Sequence, residues 1–344
     1  MIDGNVRGPV KIVGAGLSGL TAAMILARQG YRVEVRERKS KLLPSSGPHT
    51  EGIRNYKTID ALDELRSVGF DFQPFSTITT TMRRSPRFMN VLRGPAHYLF
   101  MRGTDSHTVD QVLCHRAMEL GVKFRFGVES DPTDAQIVAT GPPRDRFNIL
   151  GAGYTFSVEG GNLDMHTAHA LFDNEVAPGG YLVITPGLRF HSIYSVSWKE
   201  FQYERLLART ESAFEIPWIR EILGRSRWTG KILGRAYFAR DPISQAVRGD
   251  TLVVGEAAGF QDAVAGFGFR YAVLSGALAA RAIVEGRDYR ELLRAMFGDE
   301  FENAYKFREW LDRATNDDYD SMISSLGAEI TLGEYVQRRE PRAL

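Results

Sequence analysis

The stretch VKIVGAGLSGLTAAMILARQGYRVEVRER, residues 10–38, constrains this chain more than any other part of it. Val10–Val13 is a short β-branched run, Gly14–Gly19 a turn, Leu20–Gln29 a helical segment closed by Gly30, and Arg32–Arg36 a second strand. Three glycines between a strand and a helix form the one context in which G-x-G-x-x-G has a definite physical meaning. Gly14 permits the tight turn, Gly16 lets a pyrophosphate approach bare backbone, and Gly19 lets helix and strand pack closely. The helix start then offers unpaired N–H groups and a partial positive charge to phosphates. Glu37 ends the second strand, 18 residues after Gly19, where a carboxylate can accept both hydroxyls of an adenosine ribose. This pattern predicts an adenine dinucleotide site, with Arg36 and Arg38 beside Glu37 leaving a small opening for a 2′-phosphate.

The chain of 344 residues is long enough for about two domains. Lys+Arg 43 against Asp+Glu 42 leaves a net charge of +1, so no global field recruits nucleic acid or an anionic membrane. The single cysteine, Cys114, falls in a helical pattern and reads as a buried, inert thiol. His166 and His169 lie in a strand pattern, where an odd offset points them to opposite faces, and no metal site is expected. The first residues show no secretory pattern, and the best apolar run, YAVLSGALAA, is stopped by Arg281 before the ~18 residues that spanning needs. The expected location is cytoplasmic, with peripheral membrane contact left open.

Strands, helices and turns alternate unevenly. The residues from Ser40 to Tyr56 read as a Gly/Pro/Ser-rich loop, followed by a short helix with Thr58 as cap and Ile59, Leu62, Leu65 and Val68 on one face. STITTTM, RFMNVL and AHYLFM read as antiparallel strands, and HTVDQVLCHRAMELG as a helix with a Thr108–Gln111 capping box. VKFRF and AQIVATG are strands able to rejoin the first sheet. GYTFSV, HTAHALF, GYLVITP and RFHSIYSVSW are further strands, and Glu200–Phe214 is an amphipathic helix. The expected architecture is α/β: a Rossmann-type domain with a parallel sheet, interleaved with an antiparallel β-sheet substrate domain and followed by C-terminal helices. The expected segments are 1–57, 98–145 and 248–288 for the nucleotide domain, 58–97 and 146–247 for the antiparallel domain, and 289–344 for the helical end.

A second glycine-rich stretch, VVGEAAGFQDAVAGFGFRYAVLSG at residues 253–276, follows a strand and runs into a small-residue helix. It resembles the C-terminal flavin-binding signature of the flavoproteins that include aromatic hydroxylases, flavin halogenases and geranylgeranyl reductases. The reductase form, G-D-A-A-G…G-x-G…A…S-G, is met by Gly255, Ala257, Ala258, Gly259, Gly266, Gly268, Ala272, Ser275 and Gly276, with Glu256 in the Asp place. The resemblance implies FAD: Gly14, Ala15, Gly16, Leu17, Ser18 and Gly19 at the pyrophosphate, Glu37 and Arg38 at the ribose, and Gly255 and Glu256 at the ribityl chain. It also implies Gly266, Phe267, Gly268 and Phe269 at the flavin ring. RGTDSHTVDQVLCHRAMELGVKF resembles the family's middle segment, which adds Arg102 and Gln111, then Val128 at the adenine. IVATG resembles its third strand and adds Ala139, Thr140 and Gly141.

The resemblance further implies a geranylgeranyl reductase-like enzyme in which FAD exchanges hydride with a carbon–carbon bond of a small lipophilic, prenyl-like substrate. NAD(P)H, a separate reductase or ferredoxin would supply electrons. Monooxygenases of the group carry Asp-Gly where this chain has Ala139-Thr140-Gly141, and EIPWI does not satisfy the halogenase W-x-W-x-I-P. A monooxygenase or halogenase with degenerate motifs, and a non-redox FAD-dependent cyclase or isomerase, remain alternatives. Proton-handling candidates are His49, Glu51 and Arg54 in the early loop, and Tyr181 in GGYLV. Phe88, Tyr98, Phe100, Phe156, Phe172, Phe190 and Tyr194 are equally core or the lining of a lipid tunnel, and Arg83, Arg84 and Arg87 a solvated face or an anion patch.

Overall fold

A computed structural model describes residues 8–42, 49–143 and 145–339. Among the described residues two sheets share the chain. One has six strands: β1 (Val10–Val13), β2 (Val33–Glu37), β6 (Lys123–Phe126), β7 (Ile137–Val138), β13 (Val247–Arg248) and β14 (Thr251–Val253). Their order is β13-β14-β7-β1-β2-β6, parallel except for the β13–β14 edge.

The other sheet has nine strands: β3 (His49–Arg54), β4 (Ser76–Arg84), β5 (Met89–Arg102), β8 (Ile149–Ser157), β9 (Thr167–Leu171), β10 (Tyr181–Thr185), β11 (Phe190–Ser197), β12 (Trp228–Ala236) and β15 (Glu329–Thr331). It is antiparallel apart from the β4–β9 and β5–β15 pairs. The two sheets draw alternately on the chain, which is the interleaved arrangement expected.

The helices are α1 (Leu17–Arg28), α2 (Ala61–Ser67), α3 (Val109–Glu119), α4 (Tyr203–Ser212), α5 (Pro217–Leu223), α6 (Phe269–Glu285), α7 (Tyr289–Phe297), α8 (Glu300–Leu311), α9 (Asn316–Ser324) and α10 (Leu332–Arg339). Helices α1 and α6 lie together on the parallel sheet, and their apolar side chains belong to one core with Ile12, Val35, Leu113 and Val253. Their approach is unusually close because Gly276 faces the backbone of Ser18: a Cβ there would overlap the Ser18 carbonyl. The small residues of α6 therefore serve packing as well as any ligand.

Several local expectations are corrected. Helix α2 is capped by Asp60, whose Oδ1 accepts from Leu62 N–H at 2.8 Å, while Thr58 stands outside and Ile59 is exposed. The Thr108–Gln111 capping box does not form. Thr108 donates instead to the carbonyls of Gly103 and Asp105, and Gln111 to Gly103, so both side chains brace the preceding turn. RFMNVL and AHYLFM are one strand, β5, passing through Gly94 at φ 126. Part of the supposed loop from Ser40 to Tyr56 is strand β3, paired with β5 from His49↔Arg102 to Arg54↔His97, so it joins the large sheet. The C-terminal β15 also returns to that sheet, alongside β5.

Candidate functional site

Strand β1 delivers the first glycine turn to the end of the parallel sheet. Gly14 has φ 104, and a Cβ on it would overlap the carbonyl of Ala139 on the neighbouring chain segment. Only glycine fits that crossing. Gly16 caps α1 without any side-chain bond, no acidic residue stands in the first turn, and nothing lies within 4 Å of where a Gly16 Cβ would be. A helix start with free N–H groups thus faces open space bounded by bare backbone, which fits a pyrophosphate. Glu37 leans across the turn: its Oε2 accepts from Ala15 N–H at 2.9 Å and its Oε1 from Lys39 N–H at 3.0 Å. Val128 donates its N–H to the Glu37 carbonyl at 3.1 Å, which ties β2 to the loop after β6.

These groups line a cleft of about 680 Å³ together with Arg38, Ala139, Thr140 and Gly141. The volume suits a cofactor-sized ligand. Leu17 and Ser18 form its floor, and Arg102, Glu256, Gly268 and Phe269 its far end. Arg102 is fixed between Asp110, at 2.6 Å from Nε, and Glu51, with its guanidinium 5.4 Å from the Phe269 ring. Burial opposes the Arg102 charge, but the two carboxylates outweigh it and hold the pKa above its ordinary value. The Glu256 carboxyl has the opposite balance. Burial lifts its pKa to about 7, Glu51 adds to the rise, and a 2.7 Å bond from Tyr237 N–H offsets it only in part.

Five residues expected at the dinucleotide do not line this cleft. Gly19 packs behind the turn on the Gly14 carbonyl, and Gln111 is bonded to Gly103. Gly255 packs on Ser18, with its N–H donated to Ser275 Oγ at 2.9 Å. Phe267, with Gly266, faces a second cavity.

That cavity, of about 270 Å³, lies between the nine-stranded sheet, the 264–268 loop and helices α8 to α10. Gly268 and Glu51 border both spaces. The loop between them is firmly held. Asp262 Oδ1 accepts from Val264 and Ala265 N–H, Gln261 donates to the Gly266 carbonyl at 2.7 Å, and Tyr181 donates to the Ala265 carbonyl at 2.6 Å. Much of the cavity wall is apolar: Ile78, Leu99, Phe172, Val183, Val196 and Leu311.

Arg54 and Tyr181 reach this cavity; His49 does not. His49 is exposed at the outer end of β3 and lines neither space. Arg54 is ion-paired with Asp262 and lies 4.8 Å from the Tyr56 ring centroid; burial opposes its charge, Asp262 sustains it, and it holds its proton tightly. Tyr181 has its hydroxyl committed to Ala265, and burial raises its pKa well above the usual phenol value. Neither is a ready proton source.

Of the aromatic residues considered for a lipid lining, only Phe172 and Tyr194 border the cavity. Tyr98 bonds Asp60, Phe100 and Phe156 lie in packed cores, and Phe88 is exposed. The three arginines of MRRSPR do not form one patch. Arg83 is buried against the cavity, Arg84 stacks on Trp218, and Arg87 bonds Asp320 at the surface. Sequence reasoning missed His97, which is half-buried with its Nδ1 enclosed, stacks on Phe267 at 5.4 Å and is driven to a pKa of about 3 by desolvation and the charges of Arg54 and Arg83. Its partners come from three other segments, at residues 54–56, 83 and 267, so no local spacing announces it. Among the described residues there is no cluster of three metal-binding side chains and no helix long and apolar enough to cross a membrane.

Residues 7–141 match the family described as FAD binding domain. Comparison with curated protein sequences finds no match. Among solved structures, the chain is similar to a geranylgeranyl bacteriochlorophyll reductase-like protein from Thermoplasma acidophilum, with a TM-score of 0.77 and 16% identity over 96% of this chain and 95% of that one. It is also similar to the flavin-dependent brominase Bmp2, with a TM-score of 0.63 and 14% identity over 96% of this chain and 92% of that one. The myxobacterial chondrochloren halogenase CndH aligns with a TM-score of 0.54 and 16% identity over 88% of this chain and 81% of that one. At these identities the likeness is one of fold.

Proposed function

We propose that this FAD-dependent oxidoreductase exchanges hydride with a carbon–carbon bond of a lipophilic, prenyl-like molecule held in the cavity of the nine-stranded sheet. The observation that carries the reading is the apolar cavity meeting the dinucleotide cleft at Gly268 and Glu51, on either side of a braced glycine loop. FAD, when bound, supplies the hydride chemistry at its ring. The α1 amides and Glu37 would hold its adenosine diphosphate end, and Glu256 and the 266–269 backbone its other end. Phe267 and the aliphatic wall would orient the alkene and exclude water. Tyr194 is our candidate to hold a proton for the second carbon: it lines the cavity and, unlike that of Tyr181, its hydroxyl makes no hydrogen bond among the described residues, while burial, with Glu51, raises its pKa to about 12 and keeps it protonated until it donates. NAD(P)H, a reductase or ferredoxin as donor, and contact with a membrane surface, belong to the same proposal.

Anaerobic photoreduction of the FAD-loaded protein, followed by addition of prenyl alkenes, tests this reading. The expected result is reoxidation of the flavin with formation of the saturated product; persistence of the reduced spectrum across chain lengths overturns it. The structural likeness to a brominase and a halogenase favours a second reading, oxygen-dependent chemistry. That reading requires consumption of NAD(P)H in air, directly or through a flavin reductase, with an oxygenated or halogenated product.

A further inference from the structure

We propose that the substrate of the second cavity carries one negative charge, a carboxylate, and that Arg83 anchors it. The proposal rests on the reading of this cavity as the substrate site. A buried guanidinium is costly unless opposite charge and hydrogen bonds satisfy it. The cavity wall contains three arginines, Arg54, Arg83 and Arg308, and a fourth, Arg102, stands just behind Glu51. Arg54 is paired with Asp262, Arg308 with Asp312 at 2.8 Å, and Arg102 with Glu51 and Asp110. Arg83 has no carboxylate partner among the described residues, although it is only 5% exposed.

What Arg83 does have is neutral. One Nη donates to Asn90, the guanidinium carbon lies 4.5 Å from the Tyr335 ring centroid, and the Nε is buried with no partner. Its surroundings repeat that deficit. Thr81, two residues earlier on the same face of β4, has a buried hydroxyl without a partner, and so does Nδ1 of His97 on the neighbouring strand β5. Thr81, Arg83 and His97 all line the cavity, and the charge of Arg83 is felt at His97. His97 and His169 are both held neutral, with pKa values pushed by burial to about 3 and about 4, so neither adds charge.

Arg83 is therefore the one arginine of the wall with no carboxylate beside it among the described residues. One negative charge balances it, whereas a diphosphate would bring excess negative charge into a low-dielectric space. A planar carboxylate matches the guanidinium fork and also accepts from a hydroxyl such as that of Thr81. Arg83, His97 and Phe267 line one cavity and His97 stacks on Phe267, so an acid seated at Arg83 has room to extend its chain toward the glycine loop.

The test is equilibrium binding to the oxidised, FAD-loaded protein, followed by tryptophan fluorescence, with farnesoic acid, farnesol and farnesyl diphosphate as probes. In the wild-type protein the acid should bind at least tenfold more tightly than the alcohol and more tightly than the diphosphate. Arg83→Gln should weaken the acid at least tenfold and leave the alcohol within about twofold; Arg83→Lys should recover part of the loss. Equal affinities for acid and alcohol, a preference for the diphosphate, or a uniform loss in Arg83→Gln overturns the proposal and leaves Arg83 a structural residue. If Arg83→Gln does not fold, the wild-type ranking decides alone. Failure of all three probes to bind overturns the proposal together with the prenyl reading. Acid-selective binding without flavin reoxidation keeps it and removes the reductase reading.

Discussion

Replacing Glu256 with Gln isolates the electrostatic cost of joining the two glycine-rich segments. The Glu256 carboxyl sits at the far end of the dinucleotide cleft, and burial raises its pKa from 4.5 to about 7. A raised carboxyl binds its proton more tightly in the folded chain than in the unfolded one. Ionising it therefore penalises the folded state, beginning as pH rises past 4.5 and complete above about 7. At about 1.4 kcal/mol per pH unit, the full penalty approaches about 3 kcal/mol. Gln keeps an oxygen for the Tyr237 N–H and never ionises. Urea unfolding of the FAD-free proteins, compared near pH 4.5 and again above 7, reads the difference directly. The gap between Glu256→Gln and wild type should move in favour of the variant by up to about 3 kcal/mol as pH rises over this interval, then level off. A gap independent of pH, or one moving in favour of wild type, refutes the argument.

Gly276→Val forces α6 away from the Ser18 backbone, and overpacking of this kind costs about 1–3 kcal/mol. Because Ser18 floors the cleft, the variant should also bind FAD more weakly, measurable by titration of the apoprotein. Glu64→Gln removes the buried carboxylate that takes two bonds from Arg270, leaving Arg270 with Glu300 at 2.9 Å. The loss should be about 2 kcal/mol or more by urea unfolding. Cys114, buried and with its pKa pushed up to about 11, should react with a thiol reagent only in step with global unfolding.

The nucleotide half was legible because its constraints are local. Strand, turn and helix must follow one another within residues 10–37, and Gly14, Gly16 and Glu37 each answer to a contact that any such turn requires. The second half of the site was legible only through a family signature, and part of that signature proved to be helix packing: Gly276 and Gly255 both meet Ser18. The second cavity was hidden for a different reason. Arg83, His97, Tyr194 and Phe267 come from β4, β5, β11 and the 259–268 loop, and their meeting depends on sheet register, which no periodicity encodes. Strand β3 was missed because HTEGIR is polar and only half-buried, a pattern that alone resembles a loop. Thr108 and Gln111 had the spacing of a cap but found stronger partners in the Gly103 turn.

A crystal structure of the FAD-loaded protein weighs the whole reading. The pyrophosphate should lie on the amides of residues 16–18, with the isoalloxazine against the 266–268 backbone and one face turned to the cavity containing Phe267. A flavin ring bound away from that loop, or a preparation that takes up no FAD, contradicts it.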